Sequence, residues 1–303
     1  MARPHLIVLV GPTAVGKTRW AITLAKYLKT EVVSADSRQV YKEMAIGTAV
    51  PSKEELQQIP HHLVQHRSIK GPYSVGDFVE DAQEVLNELF KRHNVVVMAG
   101  GSGLYIQGLL FGLDDFPPID PIIREDLNTV FHSKGLTVLQ QMLKKEDPEY
   151  YERVDLENPH RVIRALEVSI GTSRPYSSYL GKKKVHHDFD FSLIGLDMDR
   201  ELLYSRINNR VDQMIATGLL DEVKILQDNR QLNALQTVGY KELFKYLDGE
   251  VSLETAVVEI KKNTRRFAKR QGTWFRKMTG ITWIPWNTAE SEFVKQVENL
   301  MRK

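Results

Sequence analysis

The chain opens on a short apolar run, Leu6 to Val10, which breaks at Gly11 into a loop. A helical pattern follows through Trp20, Ile22, Leu24 and Leu28, so the start reads as strand, loop, helix. Further short runs, Val32-Val33, Leu63-Val64, Val95 to Met98 and Phe191 to Leu196, are separated by amphipathic helical stretches. This alternation predicts an α/β fold in which a mostly parallel sheet is flanked by helices. From about Asp114 to Val185 the pattern changes. The segment opens with Phe116-Pro-Pro-Ile-Asp-Pro, continues in polar helical repeats and closes at Gly181-Lys-Lys-Lys, which predicts a helical insertion. The expected division is therefore 1–113 as the first part of the core, 114–188 as the insertion, and 189–303 as the second part of the core, ending in Ile281-Thr-Trp-Ile-Pro-Trp and a terminal helix.

Composition adds exclusions. Over 303 residues, 42% hydrophobic and 26% charged, no apolar run approaches the roughly 20 residues that a membrane span needs. The first residues are not laid out as a signal peptide, so the expected location is cytoplasmic. With no cysteine, disulfides, thiolate metal sites and a cysteine nucleophile are ruled out. A net charge of +2 argues nothing by itself, but its distribution does. Between Ile260 and Met278 there are eight Lys or Arg and no Asp or Glu. On a helix, Ile260, Phe267 and Trp274 recur at i, i+7 and predict a buried stripe. Lys262, Arg265, Lys269 and Arg276 then form the opposite face, with Arg266, Arg270 and Lys277 beside it. A solvated surface helix would mix charge signs; a helix without acids points to phosphate-backbone contact.

Gly11-Pro12-Thr13-Ala14-Val15-Gly16-Lys17-Thr18 fits G-x-x-x-x-G-K-[ST] between a strand and a helix. Such a P-loop wraps phosphate in backbone N–H groups at a helix N-terminus, Lys17 reaches a phosphate oxygen, and the Thr18 hydroxyl can hold magnesium. Asp36 lies where a ribose-binding acid of a dinucleotide fold could stand, but Thr13 replaces the middle glycine which that site requires. A nucleotide kinase also wants a Walker B acid at the end of a neighbouring strand. Val95-Val-Val-Met98 instead runs into Ala99-Gly-Gly-Ser-Gly-Leu-Tyr105, either a second phosphate or substrate patch or a plain tight turn. Asp36 follows a strand expected beside the P-loop strand, so it should face the phosphate site. A carboxylate there serves as general base, or as a helix cap or Asx turn; both fit Asp followed by Ser.

Taken together these segments resemble the tRNA dimethylallyltransferases, also called tRNA isopentenyltransferases. The likeness runs through the P-loop, Ser34-Ala-Asp-Ser-Arg-Gln-Val-Tyr41, Pro60-His-His-Leu, Tyr73-Ser-Val-Gly-Asp-Phe78 and Gly100-Gly-Ser-Gly-Leu-Tyr105. It continues through Asn158-Pro-His-Arg-Val-Ile-Arg-Ala-Leu-Glu167, Thr237-Val-Gly-Tyr-Lys-Glu242 and Thr264-Arg-Arg-Phe-Ala-Lys-Arg-Gln271. The resemblance implies a P-loop that holds dimethylallyl diphosphate with Mg2+, and an acceptor amine on the adenosine 3′ of the anticodon in tRNA. It implies that Asp36 contacts that amine as base, that Thr13 lies near the bridging oxygen, and that Arg124 and Arg210 help bind the departing diphosphate. It places Asp36, Ser37, Arg38, Gln39, Ser102, His160, Arg161, Val162, Ile163, Arg164, Gln236, Gly239, Tyr240, Lys241, Arg265, Arg266, Lys269, Arg270 and Gln271 at the tRNA anticodon stem-loop. The insertion would be an arm gripping that stem-loop, and the protein a monomer. Ser102 stands where the family often has threonine, and the missing cysteines match a compact bacterial form without a zinc finger. A P-loop small-molecule kinase would leave the basic helix unused, and a non-catalytic RNA-binding module would leave Asp36 unused.

Overall fold

The computed structural model describes residues 3–185 and 187–302. The chain forms two compact units, Met1–Leu110 with His187–Lys303, and Phe111–His186.

The larger unit is built on a six-stranded sheet, β1 (His5–Val10), β2 (Val32–Ser34), β3 (His61–His62), β4 (Val95–Gly100), β7 (Asp190–Asp197) and β8 (Ile281–Pro285). Every pairing is parallel, in the order β3-β2-β4-β1-β7-β8. Leu6 to Val10 are all buried because a central parallel strand is covered on both faces, which is why it reads as an unbroken apolar run. Around the sheet lie α1 (Lys17–Leu28), α2 (Lys53–Gln58), α3 (Val75–Phe90), α4 (Gly103–Phe111), α9 (Arg200–Ala216), α10 (Leu219–Ile225), α11 (Tyr240–Leu247), α12 (Leu253–Lys277) and α13 (Glu290–Met301).

Three expectations need correcting. β2 does not lie beside β1: β4 is inserted between them, pairing with both. Leu63-Val64 is not a strand, since Leu63 takes φ 59 and the chain turns out of the sheet after the short pairing at His61–His62. The stripe on α12 is also different. Its buried residues are Ala256, Ile260, Ala268, Gln271 and Phe275, while Phe267 and Trp274 are 42% and 38% exposed. The packed stripe runs on from Ile260 through Ala268, Gln271 and Phe275, turning away from the i, i+7 positions, because the elements packed against α12 fix which face is covered.

The smaller unit is helical: α5 (Pro121–Lys134), α6 (Leu136–Glu146), α7 (Pro148–Tyr151) and α8 (Pro159–Thr172), with β5 (Leu113–Asp114) paired antiparallel to β6 (Lys183–Lys184). Three of its helices start by one rule. Asp120, Asp147 and Asn158 accept a backbone N–H at the N-cap and each is followed by proline, whose fixed φ suits the first turn. Leu127, Leu139, Leu143, Val162, Ile163, Ala165 and Leu166 form its core. Val162 and Ile163, expected at RNA, have their side chains packed inside; of the expected residues on α8, His160 and Arg161 are exposed and Arg164 is partly exposed.

Candidate active site

In open parallel sheets ligands collect beyond the carboxyl ends of the strands, and here three loops meet there. The first follows β1. Gly11 (φ 148) and Gly16 (φ 108) take backbone angles that side chains rarely adopt, and a Cβ on Gly11 would stand 3.2 Å from the Leu196 carbonyl oxygen. Lys17 Nζ donates to the carbonyls of Gly11 and Pro12, at 2.9 and 2.8 Å. Burial pushes the Lys17 ammonium down to about 8; Asp36 opposes that shift and Arg210 adds to it. Arg210 Nη1 donates to Thr13 Oγ1 at 3.4 Å. Burial, and then the like charge of Arg206, lower the Arg210 pKa.

The second loop follows β2. Asp36 Oδ1 accepts from the backbone N–H of Arg38 at 2.9 Å and of Gln39 at 3.3 Å, an Asx turn. The carboxylate thus makes a turn and also faces the phosphate loop, where its charge acts on Lys17 and Arg210. Gln39 Nε2 donates to the carbonyls of Thr48 and Ala49, and Arg38 to those of Asn233 and Ala234. The third loop follows β4, next to the P-loop strand, where a Walker B acid would stand; Gly100 and Gly101 occupy that place. Its glycines serve close approach. A Cβ on Gly100 would lie 2.0 Å from the Ala35 oxygen, one on Gly101 2.3 Å from Gln271 Nε2, and one on Gly103 2.2 Å from the Trp274 ring. Ser102 Oγ accepts from the Ser37 N–H at 2.8 Å and so joins this loop to the second.

One cavity of about 1510 Å³ takes in all three loops. Thr13, Ala14, Gly16, Lys17, Thr18, Asp36, Ser37, Arg38, Gln39, Ser102, Arg210, Gln236, Gly239, Lys241, Arg270 and Gln271 line it, so most of the expected site residues in this unit are brought together. Three of the expected RNA contacts in this unit are engaged within the protein. Gln271 is buried: its Oε1 accepts from the Thr13 N–H at 2.8 Å and its Nε2 donates to the Gly101 carbonyl at 3.0 Å, tying α12 to two glycine loops. Tyr240 is fully buried and donates through its hydroxyl to Glu222 Oε1 at 2.6 Å. Arg265 is also engaged within the protein, donating to Asn208 Oδ1 at 2.6 Å, whereas Arg266, Lys269 and Arg270 are exposed. In the other unit, Arg124 donates twice to Glu167 Oε2, at 3.0 and 2.7 Å, and Arg164 pairs with the same carboxylate.

Two residues escaped the sequence reading. Arg206 sits one turn before Arg210 on α9, 5.1 Å over the Trp286 ring and also lining the cavity; the i, i+4 spacing was a legible signal. Glu222 was not legible. Its carboxylate accepts from the N–H groups of Ala45, Ile46 and Gly47 at 2.9, 2.8 and 3.0 Å, fixing the loop that supports Gln39.

A parallel sheet carrying a P-loop, with glycines rather than an acid at the Walker B position on β4, defines a P-loop-type fold whose loops line one cavity. The chain belongs to the tRNA dimethylallyltransferases: the family model "IPP transferase" matches residues 39–278. It is 54% identical to a tRNA dimethylallyltransferase of Christiangramia forsetii over 97% of this chain and 98% of that one. A tRNA dimethylallyltransferase of Flavobacterium johnsoniae is 51% identical over 98% of each. Among solved structures, a tRNA isopentenylpyrophosphate transferase from Bacillus halodurans matches with TM-score 0.72 and 39% identity, over 99% of this chain and 96% of that one. A eukaryotic dimethylallyltransferase, solved acting on tRNA, matches with TM-score 0.80 and 27% identity, over 98% of this chain and 79% of that one.

The Lys17 environment gives a first expected result. A bound anion favours the ammonium, so its pKa rises on binding, and between the free value near 8 and the bound value the complex takes up a proton. Phosphate groups are themselves ionised above about pH 6. Affinity of this loop for inorganic diphosphate should therefore fall as pH rises through 8. Calorimetry at pH 8.5 in buffers of different ionisation enthalpy should show the uptake, and its disappearance in Lys17→Met assigns it to this side chain.

Proposed function

We propose that the protein transfers the dimethylallyl group of dimethylallyl diphosphate to the exocyclic amine of the adenosine 3′ of the anticodon in tRNA, releasing diphosphate. The observation that carries this reading is the pairing of a P-loop with Asp36 in one cavity, with no carboxylate at the Walker B position on β4. In the reaction the allylic C–O bond breaks, the N–C bond forms, the amine proton passes to Asp36, and the electron pair of the broken bond leaves on diphosphate. Positive charge grows on carbon and negative charge on the leaving group, so fixed cations aimed at the latter lower the barrier. Lys17 and Arg210, with Arg206 beside them, supply those cations, and the Arg210–Thr13 contact sets Thr13 for the bridging oxygen. Arg124, expected at the same leaving group, lies in the smaller unit, where it is paired with Glu167.

Mg2+ fits the residues present. The Thr18 hydroxyl is a hard oxygen donor on the cavity wall at the start of α1, and it is the one protein ligand assigned to the ion. That suits an ion which keeps several waters and binds mainly through substrate phosphates. When bound, it neutralises charge on the diphosphate.

RNA contact is assigned separately in each unit: to the exposed Arg161 on α8 of the smaller unit, and to the exposed Arg266, Lys269 and Arg270 on α12 of the larger one, with Lys241 and Gln236 at its cavity wall. No described helix is long and apolar enough to cross a membrane, and we place the enzyme in the cytoplasm with its tRNA, as a monomer. Incubation with Mg2+, unmodified tRNA and either labelled dimethylallyl diphosphate or labelled ATP tests the whole reading. Prenyl label on RNA is expected; phosphorylation or ATP hydrolysis instead would favour a kinase, and tRNA binding without either product would favour a non-catalytic module. Replacing Arg266, Lys269 and Arg270 with glutamine should flatten the log–log salt dependence of tRNA binding by up to ~0.7 per lost single-strand contact. An unchanged slope would return these residues to plain surface.

A further inference from the structure

We propose that Phe267 is a stacking platform for an unpaired nucleobase of the RNA loop delivered to the cavity, a role that rests on the tRNA reading above. A phenylalanine spaced as a core residue on an amphipathic helix should be packed inside. Phe267 is instead 42% exposed and lines the cavity, while the core is met by Ala268 and Gln271 on the next face. Exposure alone says little, but an open aromatic ring on a cavity wall offers a flat apolar face to a ligand. Its surroundings say which ligand. Other cations of this helix are engaged, Lys261 with Asp212, Lys262 with Glu259 and Arg276 with Asp197. The exposed Arg266, Lys269 and Arg270 flank Phe267, and the Arg270 guanidinium stands 5.7 Å from its ring centroid.

An aromatic face among cations serves single-stranded nucleic acid: the ring takes a base, the cations take the phosphates on either side, and the guanidinium adds a cation–π contact. A duplex stem hides its base faces, so the occupant is a loop nucleotide. The cavity admits the base that meets Asp36, and Phe267 at its wall meets a neighbour of that base. Stacking the neighbour offsets part of the cost of drawing the target out of the loop, which amounts to unstacking a base.

The ring and the charges separate experimentally, because stacking does not release counterions and phosphate contacts do. Phe267→Ala should weaken binding of an anticodon stem-loop RNA about 5- to 150-fold, the size of one base–aromatic stack. The salt slope should stay unchanged, as should donor affinity and the melting temperature. Phe267→Trp should restore binding and Phe267→Leu should not. With 2-aminopurine at each position flanking the acceptor adenosine, one position should be quenched on binding the parent and not on binding Phe267→Ala. Parental affinity in Phe267→Ala, rescue by leucine, or quenching that survives alanine would each overturn the platform. A parent protein that neither binds nor prenylates the RNA would instead defeat the functional reading on which it rests.

Discussion

Asp36→Asn is expected to lower the single-turnover rate of prenyl transfer by about 10² to 10⁴, the usual contribution of a positioned general base. The substitution isolates the proton acceptor because of how Asp36 is held. Its Oδ1 accepts from the Arg38 and Gln39 N–H groups, and an asparagine carbonyl oxygen accepts both bonds equally well. The turn therefore survives, along with the Ser37–Ser102 and Gln39–Thr48 contacts that depend on it. An adenine amine is a weak nucleophile because its lone pair is shared with the ring, so the loss of a carboxylate on its N–H is felt as the new bond forms. The measurement is a single-turnover rate at saturating donor and tRNA, beside a melting curve. A rate within threefold of the parent would leave Asp36 as a turn residue, and a large loss accompanied by a lowered melting temperature would assign it to folding.

Lys17→Ala is expected to reduce kcat/KM for the donor by about 10² to 10³, the range found when one donor to a developing anion is removed, with tRNA affinity unchanged. Free of ligand, the ammonium donates to the Gly11 and Pro12 carbonyls, so it is already aimed into the loop that a diphosphate would fill. Removing it leaves those carbonyls without this donor, which makes a thermal control necessary. Lys17→Arg is informative beside it. A guanidinium keeps the charge but is wider and planar, and in a loop shaped around a compact ammonium it should recover only part of the loss. Donor binding at the parental level in Lys17→Ala would remove the P-loop from the proposed reaction.

Local features of this protein were set down in its sequence. Gly11 to Thr18 can form little other than a phosphate loop, because the two glycines sit where positive φ is required and the lysine follows the second at the start of a helix. The helix starts at Pro121, Pro148 and Pro159 were equally legible, since an Asx–Pro pair satisfies an N-cap within its own residues. The unbroken apolar run of β1 also announced a strand covered on both sides.

Tertiary structure decided whatever depends on a partner far along the chain. Strand order is one case: the apolar pattern of β2 says that it is buried, and nothing in it says that β4 rather than β1 is its neighbour. Gln271 is another. An amide in a basic helix reads as a surface residue until the Thr13 N–H and the Gly101 carbonyl arrive at its two ends from more than a hundred residues away. Glu222 holds three consecutive N–H groups of the 45–47 loop, and a lone acid in α10 carries no local mark of that task. On α12 the sequence supplied apolar residues at helical spacing, but which of them face inward depends on the direction from which the sheet and α9 approach. That choice buried Phe275 and left Phe267 at the cavity wall, because a helix has one packed stripe and its neighbours fix where that stripe runs.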